Sequence, residues 1–317
     1  MDIREAIEAY HYAILNHSQS TQVWTLSRLN IFAVWCENPS FHDGRALRLQ
    51  DLTATEIRKY IYYLSTTPST ANGKEGKLLS SYTVHGHARI LRTFLNWCIN
   101  EDGIDQYVSE KIPKRMTMPK IEQKVIEVFT REQLKALFVA CKREYTDHLQ
   151  VRDIAILSVL VDTGIRANEL CTLTLENVHL DPHDAYITVH GKGKKDREVG
   201  LGIQARTILH KYIRRYRNAT KTVPADERHV FISLHSKPLT VSGLDQILYR
   251  LGGWARIKGV RVSTHTFACN YLENGGDVFK LSRILGHASV QITTDVYLRA
   301  FKAKEARKGR SVLDDLL

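Results

Sequence analysis

A basic segment that contains two prolines breaks the helical pattern about one third of the way along the chain. It reads Ile112-Pro113-Lys114-Arg115-Met116-Thr117-Met118-Pro119-Lys120. Proline disrupts helices and sheet ladders, and the apolar residues here follow no regular period. We therefore predict an extended basic linker over residues 111–128, which separates a first domain over 1–110 from a second domain over 129–317.

The first domain is predicted to be helical. Thr53 and Glu56 have the spacing of a capping box at a helix start, and a polar loop over residues 67–77 follows. From Ser80 to about Asn100, apolar residues recur at helical spacing. The predicted buried stripe of this helix consists of Val84, Ala88, Leu91, Leu95 and Cys98.

The second domain combines helices with a short β-hairpin. Thr130 and Gln133 predict a helix start, and Ala185–His190 is a β-prone run. A glycine turn and the short run Arg197–Val199 follow it, and helices resume over Ile203–Arg217. The predicted fold class is therefore mainly α with a small β-hairpin or sheet.

The charge of the chain favours a polyanionic partner. Lys and Arg number 45 against 34 Asp and Glu, a formal net charge of +11 over 317 residues. Such an excess favours nucleic acid through phosphate neutralisation and counterion release. The charge alone therefore predicts a polyanionic partner.

Other composition signals narrow the class of protein. The five cysteines are dispersed without CxxC spacing, so we expect reduced thiols, no metal and no cofactor. The residues from Met1 lack the layout of a signal peptide, and no apolar run is long enough to span a bilayer. We expect a cytoplasmic protein with no membrane partner.

Several residues of the second domain have side chains suited to cleaving a phosphodiester without a metal. Tyr297 supplies a nucleophile, and the guanidinium of Arg166 can donate paired hydrogen bonds to phosphate oxygens. Lys192 lies in a glycine turn that could reach the leaving oxygen, and His287 can move protons. Taken singly, each is more often a surface or core residue. Their order and spacing make the combination informative.

That order and spacing resemble the tyrosine recombinase (phage integrase) family. The motifs are Thr163-Gly164-Ile165-Arg166-Ala167-Asn168-Glu169-Leu170, Gly191-Lys192-Gly193, and Leu285-Gly286-His287 followed by Thr293-Thr294-Asp295-Val296-Tyr297. The resemblance implies double-stranded DNA as the partner, and a helical DNA-binding domain followed by an integrase-type catalytic domain. It also implies a site-specific recombinase that cleaves and rejoins DNA through a 3′-phosphotyrosine bond.

The resemblance implies roles for individual residues. The expected catalytic residues are Arg166, Lys192, His265, His287 and Tyr297, with Glu169 in support. The expected contacts to the DNA backbone are Lys114, Arg115, Lys120 and Lys124. A homo-tetramer on paired sites, associated with the nucleoid, is expected, and the tail Phe301–Leu317 is a candidate for docking on a neighbour.

One family residue, a second active-site arginine, is absent from its usual motif, His-Thr-Phe-Arg-His-Thr-Phe-Ala. This chain has Thr264-His265-Thr266-Phe267-Ala268, as if four residues were missing. In one alignment His265 is the motif histidine and Ala268 stands at the position of the arginine. In the other alignment Arg261 stands at the position of the histidine and Thr264 at the position of the arginine. Four residues are close to one helical turn, so the fold can survive a loss that the chemistry tolerates poorly.

Three alternatives remain open at this point. A DNA-binding relative with weak or no catalysis would explain the missing arginine. A type IB topoisomerase shares the chemistry but does not need paired recognition sites. A basic RNA-binding protein without an active site would leave the ordered motifs unexplained.

Overall fold

The computed structural model describes residues 1–68, 76–122, 128–191, 196–217, 223–258 and 264–298. It divides into two compact units, Met1–Lys124 and Val125–Leu317, each with a core of its own. Several residues singled out above lie outside the described ranges: Lys124, Lys192, Arg261 and the tail Phe301–Leu317.

The first unit is helical, as predicted. Its helices are α1 (Ile3–Ala13), α2 (Gln19–Glu37), α3 (Ala54–Thr66), α4 (Ser81–Cys98) and α5 (Lys111–Lys114). Single-turn 3₁₀ helices lie at Pro39–Phe41, Leu49–Asp51 and Asp105–Tyr107.

The helix starts follow from local sequence. The Thr53 hydroxyl accepts a hydrogen bond from the backbone N–H of Glu56 at 3.1 Å, which satisfies one of the free donors at the start of α3. Ser80 caps α4 in the same way through Thr83. The predicted stripe of α4 is confirmed, because all of its members are buried: Val84, Ala88, Leu91, Leu95 and Cys98.

The predicted extended linker is wrong for its first residues. Lys111–Lys114 form α5, in which Ile112 and Pro113 are buried, and Ile112 and Met116 belong to the core of the first unit. Proline is tolerated in the first turn of a helix, where its missing N–H would have no intrahelical partner. The described residues after Met116, up to Glu122, form neither helix nor strand.

The second unit is also mainly helical. Its helices are α6 (Arg131–Cys141), α7 (Asp147–Thr163), α8 (Ala167–Cys171), α9 (Ile203–Tyr212), α10 (Val241–Ala255), α11 (Thr264–Glu273), α12 (Val278–Leu285) and α13 (Val290–Thr293). A 3₁₀ turn lies at Leu175–Asn177, and π-helical turns extend α9 over Ile213–Arg217 and α13 over Thr294–Leu298. Thr130 and Gln133 form the predicted capping box of α6.

The sheet contains the predicted hairpin and one further strand. Strands β1 (Val178–Leu180), β2 (Ala185–His190) and β3 (Asp196–Gly200) pair antiparallel in that order. Ile187 of β2 stands opposite Val178 and Val199 and is fully buried. β1 escaped prediction because three residues are too few to show strand alternation.

A small apolar cluster beside the main core of the second unit carries residues from α11, α12 and the π-helical turn. Its buried members are Phe267, Ala268, Leu272, Leu281, Leu285 and Tyr297. The five cysteines, all within the described ranges, form no disulfide, and four of them are buried. Among the described residues, every helix is too short or too polar to cross a lipid bilayer.

Candidate active site and DNA-contacting residues

Arg166 is positioned by the turn between α7 and α8. Gly164 ends α7 with a φ of +64°, a conformation that glycine adopts without the penalty that a side chain would bring. A Cβ at Gly164 would lie 2.3 Å from the ring of Phe267, so the turn also allows close packing against α11. The backbone N–H of Arg166 then donates to the Glu169 carboxylate at 2.8 Å at the start of α8.

Glu169 is shared by two guanidinium groups. Nη1 of Arg166 donates to Oε1 at 2.8 Å, while Nη1 and Nη2 of Arg197 donate to Oε1 and Oε2 at 2.9 and 2.8 Å. Burial alone would raise the pKa of Glu169, but these hydrogen bonds and charges hold it below its ordinary value. Arg197 was missed from the sequence, because its place on β3 gives no sign of a partner 28 residues away.

His287 is positioned by the end of α12. Gly286 has a φ of +64°, and its N–H and that of His287 bond to the carbonyls of Arg283 and Ser282. This is the Schellman pattern, in which a left-handed glycine reverses the chain. The motif Leu-Gly-His is therefore a helix end that presents the histidine, and Nδ1 of His287 lies 2.7 Å from the Thr293 hydroxyl.

Tyr297 lies in the π-helical turn that follows α13. Its side chain is buried in the small apolar cluster, where the residue is 2% exposed. Burial, with a smaller contribution from Cys269, raises the pKa of Tyr297 to about 12, although Arg166 acts in the opposite direction. π-helical turns are rare and frequently occur at functional sites.

Two imidazoles stand beside the phenol ring. The centroid of the His265 ring is 5.4 Å from that of Tyr297, and that of His287 is 6.5 Å away. Burial lowers the pKa of both histidines, and the charges of Arg166, Arg197 and His265 lower that of His287 further. Nδ1 of His265 is buried without a hydrogen-bond partner among the described residues.

The structure therefore brings Arg166, His265 and His287 together around the phenol of Tyr297. Thr264 at the start of α11 is half-buried and Ala268 is fully buried, so the two candidate positions for a second arginine hold uncharged side chains. Within the described ranges, a further guanidinium near this group is that of Arg197, which is held by Glu169.

The residues of the first unit that are expected to contact DNA differ in whether their charge is paired with a carboxylate. Lys114, Arg115 and Lys120 are exposed, but Lys114 pairs with Glu110 at 2.8 Å. An exposed ion pair of this kind is weak, yet the negative charge of Glu110 offsets part of the attraction between Lys114 and a phosphate.

A second cationic group in the first unit was not found from the sequence. The guanidinium carbons of Arg28 and Arg89 lie 3.8 and 5.5 Å from the centroid of the Trp24 ring. Nε of Arg28 is buried without a hydrogen-bond partner in the described structure. Two guanidiniums on one ring form a concentrated positive charge, which suits a phosphate.

Comparison with protein families gives matches along nearly the whole chain. The phage integrase family matches residues 127–304, more than half of the chain, and the phage integrase SAM-like domain matches residues 4–129.

Individual relatives agree with these matches. Tyrosine recombinase XerD of Oceanobacillus iheyensis is 30% identical over 256 residues, which cover 80% of this chain and 80% of that protein. Tyrosine recombinase XerC of Leptospira interrogans is 27% identical over 292 residues, 91% of this chain and 86% of that protein.

Solved structures share the fold. The XerH site-specific recombinase bound to its palindromic difH substrate, a post-cleavage complex, aligns with a TM-score of 0.69 at 18% identity over 96% of this chain and 84% of that one. The Tn1549 transposon integrase in complex with a circular intermediate DNA aligns with a TM-score of 0.71 at 13% identity, covering 98% of this chain and all of that one.

Proposed function

Because this chain belongs to the phage integrase family of tyrosine recombinases, we propose that it recombines DNA at specific sites by cleaving and rejoining strands through Tyr297. The observation that supports this most is the convergence of Arg166, His265 and His287 on one buried phenol. The relatives XerD and XerC are tyrosine recombinases, and two structural neighbours are bound to DNA.

The proposed reaction exchanges one phosphate ester for another. The phenol oxygen of Tyr297 attacks the phosphorus, a 3′-phosphotyrosyl bond forms, and the bond to the 5′ oxygen breaks. The phenol proton passes to an imidazole, and the leaving 5′ oxygen takes a proton from Lys192. Rejoining runs the same steps in reverse with a 5′ hydroxyl as the nucleophile, so the reaction needs no external energy source.

The protonation states near neutral pH fit these roles. A phenol with a pKa of about 12 keeps its proton until a base removes it. His265 and His287, with pKa values below the ordinary 6.5, are mainly neutral there and can accept that proton. Arg166, whose side chain is 45% exposed, is the guanidinium that a phosphate can reach.

Charge compensation at the phosphate is proposed to be incomplete. Thr264 and Ala268 are uncharged, and both terminal nitrogens of Arg197 already donate hydrogen bonds to Glu169. Loss of one such donor to a developing negative charge typically costs on the order of 10²–10³ in rate. We therefore propose slow cleavage, with a DNA-binding relative that cleaves poorly or not at all as the alternative.

DNA binding is proposed to involve both units. The excess of Lys and Arg favours a polyanion, and exposed cations are available in the first unit at Arg115, Lys120 and Arg89. By the strand-exchange logic of the family, two recombining sites would be held by a homo-tetramer.

Covalent trapping tests this proposal. Duplexes selected from a random-sequence pool by binding are nicked next to the cleavage position, so that the cleaved strand diffuses away and the phosphotyrosyl complex persists. We expect a complex that forms slowly and is lost in Tyr297→Phe but kept in Tyr271→Phe, a tyrosine of the same apolar cluster.

The outcomes separate the alternatives. A complex that persists in Tyr297→Phe contradicts the nucleophile. Binding without any complex from the unaltered chain favours the DNA-binding relative. Cleavage and relaxation without paired sites would favour a topoisomerase.

A further inference from the structure

We propose that Arg197 is a positioning residue that lets Glu169 orient Arg166 without cancelling its charge, and that it also holds the helix end that presents His287. This inference rests on the function proposed above. Arg197 lies on β3, and its side chain is only 13% exposed, so it acts through its neighbours in the protein.

The carboxylate of Glu169 is fully used by two arginines. Oε1 accepts from the guanidiniums of Arg166 and Arg197, and Oε2 accepts from the backbone N–H of Arg166 and from Arg197. An ionised carboxylate offers about four lone-pair positions, and all are engaged in this arrangement. Removing Arg197 would therefore leave Glu169 half satisfied in a buried position.

The charges of the three groups explain why two arginines are needed. With Arg166 alone, the carboxylate would neutralise the guanidinium that faces the phosphate. With both arginines the group keeps a net charge of +1, two positive charges against one negative. Such a charge interacts more strongly in a partly buried site than in water.

Arg197 also satisfies the end of α12. Its Nε donates to the carbonyl of Ile284 at 2.7 Å, one of the last carbonyls of a helix, which lack intrahelical partners. A Cβ at Gly286 would lie 3.2 Å from Cδ of Arg197, so the two residues pack closely. His287 is the next residue, and its position depends on this contact.

A charge-reversion experiment tests the inference. In Arg197→Met the group of Arg166 and Glu169 is neutral, and single-turnover cleavage is expected to fall by about 10²-fold. In the double variant Arg197→Met/Glu169→Gln the net charge returns to +1, and cleavage is expected to recover about tenfold. Arg197→Lys keeps the charge without the paired geometry and is expected to lie between Arg197→Met and the unaltered chain.

A second readout does not need cleavage. NMR titration of the His287 imidazole in the free protein is expected to show a higher pKa in Arg197→Met, because a nearby positive charge is lost. In the double variant it is expected to move down again. This titration decides the inference even if the unaltered chain forms no covalent complex, which would contradict only the proposed reaction.

Arg250→Met is the matched control. Arg250 also pairs with buried carboxylates of the second unit, those of Glu144 and Asp153. Among the described contacts, neither carboxylate is hydrogen-bonded to Tyr297. The Arg250→Met variant is expected to leave the His287 titration and the cleavage rate unchanged within twofold. A double variant no better than Arg197→Met in both readouts, or an equal effect of Arg250→Met, overturns the inference.

Discussion

The imidazole ring of His287 lies parallel to the phenol ring of Tyr297, with 6.5 Å between the ring centroids and 6° between the ring planes. Nδ1 of the same imidazole is engaged by the Thr293 hydroxyl at 2.7 Å. The other ring nitrogen, Nε2, is therefore the one that can accept the proton of the phenol or donate a hydrogen bond to a phosphate oxygen, according to the tautomer. Under the proposed function, the depressed pKa of this imidazole suits it to take the proton of the buried phenol.

The first prediction concerns the ionisation of Tyr297. Burial raises its pKa to about 12, so it should remain protonated near pH 10, where unperturbed tyrosines ionise. Ultraviolet titration of the unaltered chain and of Tyr297→Phe should therefore give superimposable phenolate curves around that pH. An extra phenolate in the unaltered chain at lower pH would show that the site activates the phenol without DNA.

The second prediction concerns the stability that Glu169 provides. Its pKa is lowered in the folded protein, so its contribution is complete above the ordinary value of 4.5 and is lost as the pH falls through the folded value. Glu169→Gln should destabilise the second unit by about 3 kcal/mol at neutral pH, because two guanidiniums lose their carboxylate. The difference from the unaltered chain should shrink at pH values below 4.5.

Denaturant unfolding at several pH values measures this difference. Glu110→Gln is the control, since Glu110 pairs with Lys114 on the surface and its loss should have no measurable effect. A loss of stability from Glu169→Gln that does not change with pH would contradict an ionised carboxylate.

The third prediction concerns the turn before Arg166. Gly164→Ala should destabilise the second unit by about 3 kcal/mol, through the left-handed backbone and the contact with Phe267. Gly275→Ala separates the two causes: Gly275 has a φ of +81°, but a Cβ there would meet nothing within 4 Å. It should cost only about 1 kcal/mol. Equal losses in thermal unfolding would show that the packing against α11 is unimportant.

The fourth prediction concerns DNA affinity. Arg28→Gln/Arg89→Gln should weaken binding and reduce the slope of log affinity against log salt by about 1 to 2, because each phosphate contact contributes about 0.9. Arg4→Gln is the matched control, since that guanidinium is already paired with Glu37. Fluorescence anisotropy at several salt concentrations gives both slopes. An unchanged slope in the double variant would place the DNA elsewhere.

The same measurement ranks the residues expected from the sequence. Arg115→Gln and Lys120→Gln should each reduce the slope more than Lys114→Gln, because Lys114 is paired with Glu110. The reverse order would mean that the pair opens on DNA.

Helix starts and one strand were predicted correctly, because they depend on residues that are close together in the sequence. The capping residues Ser80 and Thr130 lie where helices begin, and β2 has the bounds that its β-prone residues indicated. The two prolines and the cations predict extended chain where α5 forms, although Ile112 and Met116 are apolar. The burial of those two residues depends on packing against distant helices, which no local pattern contains.

The candidate site divides in the same way. Gly164 and Gly286 are visible in the sequence because a left-handed turn requires glycine. Arg197 is not, since its partners Glu169 and Ile284 lie 28 and 87 residues away. The π-helical turn that carries Tyr297 is likewise set by tertiary packing, so spacing along the chain indicated the residue but not how deeply it is buried.

The last prediction concerns the missing arginine, for which the sequence left two positions open. Thr264 is half-buried and directly precedes His265, whose ring stands beside Tyr297, whereas Ala268 is fully buried among apolar side chains. A guanidinium at position 268 would be taken out of water without a partner, so Ala268→Arg should unfold the second unit. Thr264→Arg should be tolerated.

Thr264→Arg should therefore raise single-turnover cleavage by about 10²-fold, because a guanidinium next to the phenol can bind the developing charge on the phosphate. Thr264→Gln, which adds length without charge, is the control and should change little. Inserting Arg-His-Thr-Phe between Phe267 and Ala268 restores the family motif. With Ala268 kept in its buried place, the added His-Thr-Phe replaces His265–Phe267 and the added arginine falls at the position of Thr264, so a similar gain is expected. If the unaltered chain already cleaves as fast as these variants, another cation binds the phosphate and the chain lacks nothing that the reaction requires.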